Sequence, residues 1–436
     1  MSDHQRRLPE ASPNLDASTD HDQDSPAPPR SLPSRDGDDV VSKLSLRESC
    51  SPKLKKELGL DMSRIFPYRN NRKPSAEVDY APGNNYKFTM MMLVDFERQV
   101  PGLETRSYLN LMDWGMHNNV IAIGVGKRLW FARIDREKTP PHVGPSYGDD
   151  EFVNSVSWSP EGDDALAVGL KNSQVHLLDP ITSQKIRTFG SCGVGSLAWN
   201  GRVLTTGTLD GHIVNYDVRV GTKVSRLLES HQGAICGLKW SASGQLLASG
   251  GSDNVVHVWD GRVPTRWLHK LEEHNAAVRA VAWNPLKRHL LASGGGEGDH
   301  YIRLWDASSG TPHENASVDT GSEVCGLFWS KDHVDTLVST HGFGGSLSVR
   351  DNRLILWRSP MMFKIDEMYI ESNDDVPAPP PRTSFFSAQS PEGYNVAIAG
   401  DNKKLQLVHA FTPPPPEPAA KPPFSTYNRP NHYTLR

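Results

Sequence analysis

Short runs in which apolar and polar residues alternate recur along the middle of the chain, and each closes on a bulky residue. Val255-Val256-His257-Val258-Trp259 is one such run. Alternation of this kind is the pattern of a strand with one buried face. The runs come in pairs. Leu238-Lys239-Trp240-Ser241 is answered by Val256-His257-Val258-Trp259-Asp260, and Val281-Ala282-Trp283-Asn284 by Ile302-Arg303-Leu304-Trp305-Asp306. Between the members of a pair sits a turn such as Ser159-Pro160-Glu161-Gly162, Ser241-Ala242-Ser243-Gly244 or Ser390-Pro391-Glu392-Gly393. Glycine there supplies the positive φ that a tight hairpin needs. The pattern predicts an all-β chain.

The pair occurs seven times. The first runs end on Trp114, Trp158, Trp199, Trp240, Trp283 and Trp329, with Gln389 in the aromatic slot of the seventh. The second runs end on Trp130, Leu178-Asp179, Tyr216-Asp217, Trp259-Asp260, Trp305-Asp306, Trp357 and Val408-His409. Successive tryptophans are 44, 41, 41, 43 and 46 residues apart, near the period of WD-type propeller blades. The last gap is 60 and carries a proline-rich insertion from Asn373 to Pro381, predicted as a loop. A repeat of this length cannot bury its own apolar face and must pack against its neighbours. The expected fold is a seven-bladed WD-repeat β-propeller over residues 106–411. Residues 1–105 and 412–436, where prolines crowd at Pro26–Pro33 and Pro413–Pro423, read as disordered arms.

Composition narrows the function classes. A net charge of −4 over 436 residues gives no general attraction for nucleic acid. No apolar stretch long enough to span a membrane is present, and the polar N-terminus is not a secretory signal. The four cysteines, Cys50, Cys192, Cys236 and Cys325, suit a reducing compartment, which points to nucleus and cytoplasm. Gly124-Val125-Gly126-Lys127 lacks the spacing of a phosphate loop. No metal-ligand spacing is seen, and no cofactor is expected. His231, Ser249, Asp253 and Trp259 invite a catalytic reading. The copy at His274, Ser293 and Trp305 in the following repeat argues for a buried structural network.

Several stretches go beyond a generic repeat: Tyr108-Leu109-Asn110-Leu111-Met112-Asp113-Trp114, Val194-Gly195-Ser196-Leu197-Ala198-Trp199-Asn200, Ser249-Gly250-Gly251-Ser252-Asp253-Asn254, Ser293-Gly294-Gly295-Gly296 and Ser339-Thr340-His341-Gly342-Phe343. In this order they resemble the Fizzy family, the substrate-binding activators of the anaphase-promoting complex. Pro264-Thr265-Arg266-Trp267-Leu268-His269 looks most like its plant members. The resemblance implies an adaptor, not an enzyme. Its implied partners are ligase subunits, degron-bearing substrates such as cyclins, and spindle-checkpoint proteins. The last are in question because the basic-aliphatic checkpoint motif is missing or degenerate.

Two tail motifs are implied for docking on the ligase. Ser63-Arg64-Ile65-Phe66-Pro67 is similar to the C-box, with the aromatic and Ile exchanged, and Leu435-Arg436 is similar to the C-terminal Ile-Arg pair. An Arg beside apolar anchors and a rigid Pro suits a short linear motif, and a terminal Arg offers guanidinium and carboxylate together. Arg64-Ile65-Phe66 also reads as a remnant of the checkpoint motif, or as plain basic linker. For substrates, the resemblance places Asp113 in the destruction-box cleft between the first and last blades, where an exposed carboxylate would pair with the degron Arg; the alternative is a turn-capping Asp. Asn254 and Asn352 match positions that hold the Lys-Glu-Asn degron. Ser252, Glu297 and Gln406 stand where Asn, a small hydroxyl residue and Arg are usual, so weak binding of that degron is expected. A diverged, competing paralogue and a general WD scaffold remain the other readings.

Overall fold

The computed structural model describes residues 92–413, apart from 104–108, 135–141, 345–351, 371–384 and a few single or paired positions. The C-box-like stretch 63–67, the insertion at 373–381 and Leu435-Arg436 lie outside the described residues. Among the described residues there are twenty-eight strands, β1–β28 in chain order, and no helix. They form seven four-stranded antiparallel sheets. Blades one to six are β2–β5 (from Met112), β6–β9 (from Val153), β10–β13 (from Val194), β14–β17 (from Ile235), β18–β21 (from Val278) and β22–β25 (from Val324). The expected seven-bladed propeller is the observed fold.

Blade seven is composite. Its three C-terminal strands, β26 (Phe386–Gln389), β27 (Asn395–Ala399) and β28 (Lys404–His409), are completed by β1 (Leu93–Gln99), which pairs antiparallel with β28. The sequence reading starts the ring at residue 106 and leaves 90–94 in the arm; the structure places β1 inside the ring. Strand β1 carries no anchoring Trp and pairs only with a strand more than three hundred residues away, so no local signal marks it. Pairing the first and last strands of the ring in one sheet removes an otherwise open edge.

Each innermost strand ends at its anchor or one residue past it: β2 (Met112–Trp114), β6 (Val153–Trp158), β10 (Val194–Asn200), β14 (Ile235–Trp240), β18 (Val278–Trp283), β22 (Val324–Trp329) and β26. The anchors stitch neighbouring blades. Trp199, Trp283 and Trp329 donate Nε1–H to the carbonyls of Ser157, Lys239 and Ala282 in the preceding blade, at 3.3, 3.0 and 3.1 Å. Gln389 does the same work without a ring, its Nε2 donating to Trp329 O (3.0 Å) and Gly393 O (2.9 Å). Apolar side chains fill the spaces between blades. One cluster joins the ends of the ring, bringing Phe386, Ala397 and Leu407 of blade seven against Ile123 and Trp130 of blade one.

The inner strands lie close enough to exclude side chains at two glycines. A Cβ on Gly195 would sit 2.5 Å from Ile235 O, and one on Gly237 would sit 2.4 Å from Arg279 O. Gly162, Gly244 and Gly393 adopt positive φ in the hairpins, as expected. The Asp of the Trp-Asp pairs has a local task. Asp179, Asp217, Asp260 and Asp306 each accept a hydrogen bond from the backbone N–H two residues on, at 2.8–2.9 Å, closing the turn into the outer strand.

Candidate functional site

The His-Ser-Asp constellations are sealed inside the blades. In blade four His231 meets Asp253 through Nδ1 (2.9 Å) and Ser249 Oγ through Nε2 (2.9 Å), and Trp259 Nε1 donates to the same Oγ (2.9 Å). Blade five repeats this with His274–Asp299 (2.7 Å), His274–Ser293 (2.7 Å) and Trp305–Ser293 (2.7 Å). Ser249 and Ser293 are 0% exposed, so no substrate reaches either hydroxyl. The structural reading of these residues holds. Sequence reasoning missed Asp299, which follows its Ser by six positions where Asp253 follows by four, and Arg303, whose Nη1 reaches Asp299 at 2.9 Å. A search for Asp at variable offset after the Ser would have found the first.

The network also shapes the surface. Ser252, Asp253 and Asn254 form the turn between β15 (Leu246–Gly251) and β16 (Val256–Asp260). Asp253 accepts from Gln232 N (2.8 Å) and Val255 N (3.3 Å) while holding His231. Burial opposes its charge, but His231 and the backbone donors outweigh that and bring its pKa down to about 2. The turn is therefore clamped. Asn254 takes the left-handed conformation (φ 67°), half-buried, with exposed Ser252 beside it. Glu297 stands half-buried in the equivalent turn of blade five, between β19 (Leu290–Gly295) and β20 (Tyr301–Asp306). Asn352, also left-handed (φ 65°), precedes β24 (Arg353–Arg358) and is buried.

Turns between second and third strands lie at the end of the ring where the inner strands begin. Ser252, Asn254, Glu297 and Asn352 thus share one face. Gln406 is placed differently. It lies within β28, 5% exposed, with Nε2 donating to Glu97 Oε2 on β1 (3.0 Å). Lys404 also pairs with Glu97 (2.9 Å), and these two partners hold the Glu97 carboxyl below its usual range.

Asp113 lies toward the other end, one residue before the end of β2. Its carboxylate is not exposed toward the seam with blade seven; it faces blade two. Oδ2 accepts from Trp158 N (2.8 Å) and Ser157 Oγ (3.2 Å), and Oδ1 from Trp114 N (3.0 Å). Burial pushes its pKa up, against the pull of Lys239 and these donors. An acid before an anchoring Trp is close to the neighbouring inner strand, whose N–H groups point at it. Sequence position alone does not reveal that direction. Among the described residues no group of three or more His, Cys, Asp and Glu could hold a metal, and no helix is long and apolar enough to cross a membrane.

Fold and face together define a WD-repeat propeller that presents rigid turns around its axis. Sequence comparison identifies which one. A model of the CDC20/Fizzy WD40 domain matches residues 99–407. The chain is similar to "Cell division cycle 20.1, cofactor of APC complex" of Arabidopsis thaliana, 38% identical and spanning 91% of this chain and 87% of that protein. It is also similar to "Protein FIZZY-RELATED 3" of the same plant, 36% identical over 71% of this chain and 60% of that one. A chain of the solved "Crystal Structure of Mitotic Checkpoint Complex" superposes with a TM-score of 0.65 at 33% identity, covering 73% of this chain and 95% of its own. The chain belongs to the CDC20/Fizzy family, as its motifs suggest.

Proposed function

We propose that the chain is a substrate-recruiting activator of the anaphase-promoting complex, an adaptor without catalysis of its own. The observation that carries this is its similarity to a relative named as a cofactor of that complex, at 38% identity over 91% of the chain. Its His-Ser-Asp groups, closed to substrate, support an adaptor over a hydrolase. Arg64, Ile65, Phe66 and Pro67, with Leu435 and Arg436, dock on the ligase in this reading. Degron-bearing substrates meet the face carrying Ser252, Asn254, Glu297 and Asn352. The checkpoint complex that contains a similar chain makes checkpoint proteins partners to test. Activity in nucleus and cytoplasm suits the buried free thiols, Cys236 and Cys325, whose pKa values burial raises to about 11 and about 12.

The test is ubiquitination by purified ligase with this chain as sole activator, comparing wild type, Arg64→Ala and removal of Leu435-Arg436. Both changes are expected to abolish stimulation. Stimulation indifferent to them sinks the docking assignment. No stimulation by wild type favours a competing paralogue, a reading to which the engaged Gln406 and acidic Glu297 lend weight. For Asp113, whose carboxylate is already held by Trp114, Ser157 and Trp158, the expected result is an Arg-x-x-Leu peptide bound equally by Asp113→Asn and wild type. A loss of about tenfold would return Asp113 to the destruction-box site.

A further inference from the structure

The channel along the ring axis is uneven. At the mouth where the inner strands end, opposite the face of Asn254, it widens into a bowl of about 500 Å³ walled by Trp240, Trp283, Trp329, Met116 and Pro285. Deeper in it narrows to about 110 Å³. There Asn110 crosses from the first blades, its Nδ2 donating to Gly195 O (3.3 Å) and Cys236 O (2.7 Å) of blades three and four.

Two cations flank this throat. Lys239 is exposed where bowl and throat meet and lines both. Arg279, 7% exposed, lines the narrow part; its Nη2 donates to Phe385 O (2.6 Å), and its Nη1 has no hydrogen-bond partner. Asp113, the acid that lines the bowl, is already engaged by Trp114, Ser157 and Trp158. Two cations against this one carboxylate, whose charge Lys239 already offsets, leave the floor of the indole-lined bowl net positive. Apolar walls converging on a few charged groups are what a small-molecule pocket requires. Ammonium and guanidinium groups together select oxyanions.

We propose that this bowl binds a small amphipathic anion, its aromatic body against the indoles and its carboxylate, sulfonate or phosphate head at Lys239 and Arg279. The inference does not depend on the ligase reading.

Calorimetry and tryptophan fluorescence with the full chain test it, using naphthalene-2-sulfonate and its neutral sulfonamide as probes. Saturable binding of the sulfonate is expected, with the sulfonamide at least about tenfold weaker. Lys239→Ala should weaken the sulfonate by a similar factor with the circular dichroism spectrum unchanged, and Lys239→Arg should restore it. Absence of saturable sulfonate binding, equal affinity for the two probes, or indifference to Lys239→Ala each overturns the proposal.

Discussion

Ser293 sits in the middle of a directed chain of hydrogen bonds, and its removal has a calculable cost. Asp299 is ionised: burial opposes its charge, but His274, Asn275 N and Arg303 hold its carboxyl below the usual range. His274, kept neutral by burial, therefore donates from Nδ1 to Asp299 and leaves Nε2 as an acceptor. The Ser293 hydroxyl donates to that nitrogen and accepts from Trp305 Nε1, both at 2.7 Å. Ser293→Ala strands two groups in residues that are 4% (His274) and 1% (Trp305) exposed. Each orphaned buried group costs about 1–3 kcal/mol, so the sum after relaxation is about 2–4 kcal/mol. At about 2.1 cal/mol/K per residue over roughly 320 residues, that lowers the melting temperature by about 3–6 °C.

Thermal and urea melts followed by circular dichroism measure this. Ser308→Ala, an exposed hydroxyl in the same blade bonded to Asp306 (2.6 Å), serves as control and should stay within about 0.5 kcal/mol of wild type. Equal melting of the two variants would falsify the network as drawn. Loss of substrate binding by Ser293→Ala at unchanged stability would instead make the constellation functional.

Three further outcomes are expected. Gln389→Leu deprives the Trp329 and Gly393 carbonyls of their donor and should cost about 1–2 kcal/mol in urea melts; no loss would mean the amide is idle. A chain beginning at residue 101 lacks β1 and leaves β28 as an open edge, so it should melt lower than Ser293→Ala and be cut by trypsin at Lys403 or Lys404, whereas a melt matching the full chain contradicts the composite blade. Asp253 has its folded pKa at about 2, below the ordinary carboxylate value, because the bonds from His231 and the backbone outweigh its burial. Its contribution, about 1–2 kcal/mol after solvent screening, is complete above about pH 4 and lost as pH falls toward its folded pKa. Asp253→Asn should flatten the stability–pH slope in that window, and parallel slopes would count against the clamp.

The ring was legible because its signals are local. Alternation, an anchoring Trp and a hairpin glycine all fall within one blade, so Trp240, Gly244 and Trp259 announce a blade without help from the rest of the chain. What escaped depends on distance. Strand β1 is defined by a partner at the other end of the sequence, and the direction of the Asp113 carboxylate by N–H groups some 45 positions on. The face carrying Asn254 was visible through its resemblance to a known motif. That Asp253 fixes this turn through His231 follows from the repeat, whereas the partner of Gln406 does not.

The departures from the repeat fall into two physical kinds. Gln389, Arg303 and Gln406 break the pattern yet turn inward, each bonded to another blade strand or network. Ser252 and Lys239 break nothing structural and present their side chains to solvent. Only the second kind can report directly on a ligand, so the missing Arg at position 406 has a different meaning from the one its absence suggests. Glu97 would capture a guanidinium placed there, since it already holds the Gln406 amide at 3.0 Å and Lys404 at 2.9 Å. Gln406→Arg alone is therefore expected to leave affinity for a Lys-Glu-Asn peptide unchanged. Adding Glu97→Gln frees the new cation for the peptide Glu and should strengthen binding about tenfold, the worth of one added charge-assisted contact. A gain from Gln406→Arg by itself, measured by fluorescence anisotropy of the labelled peptide, would show that Glu97 does not hold a cation placed at position 406.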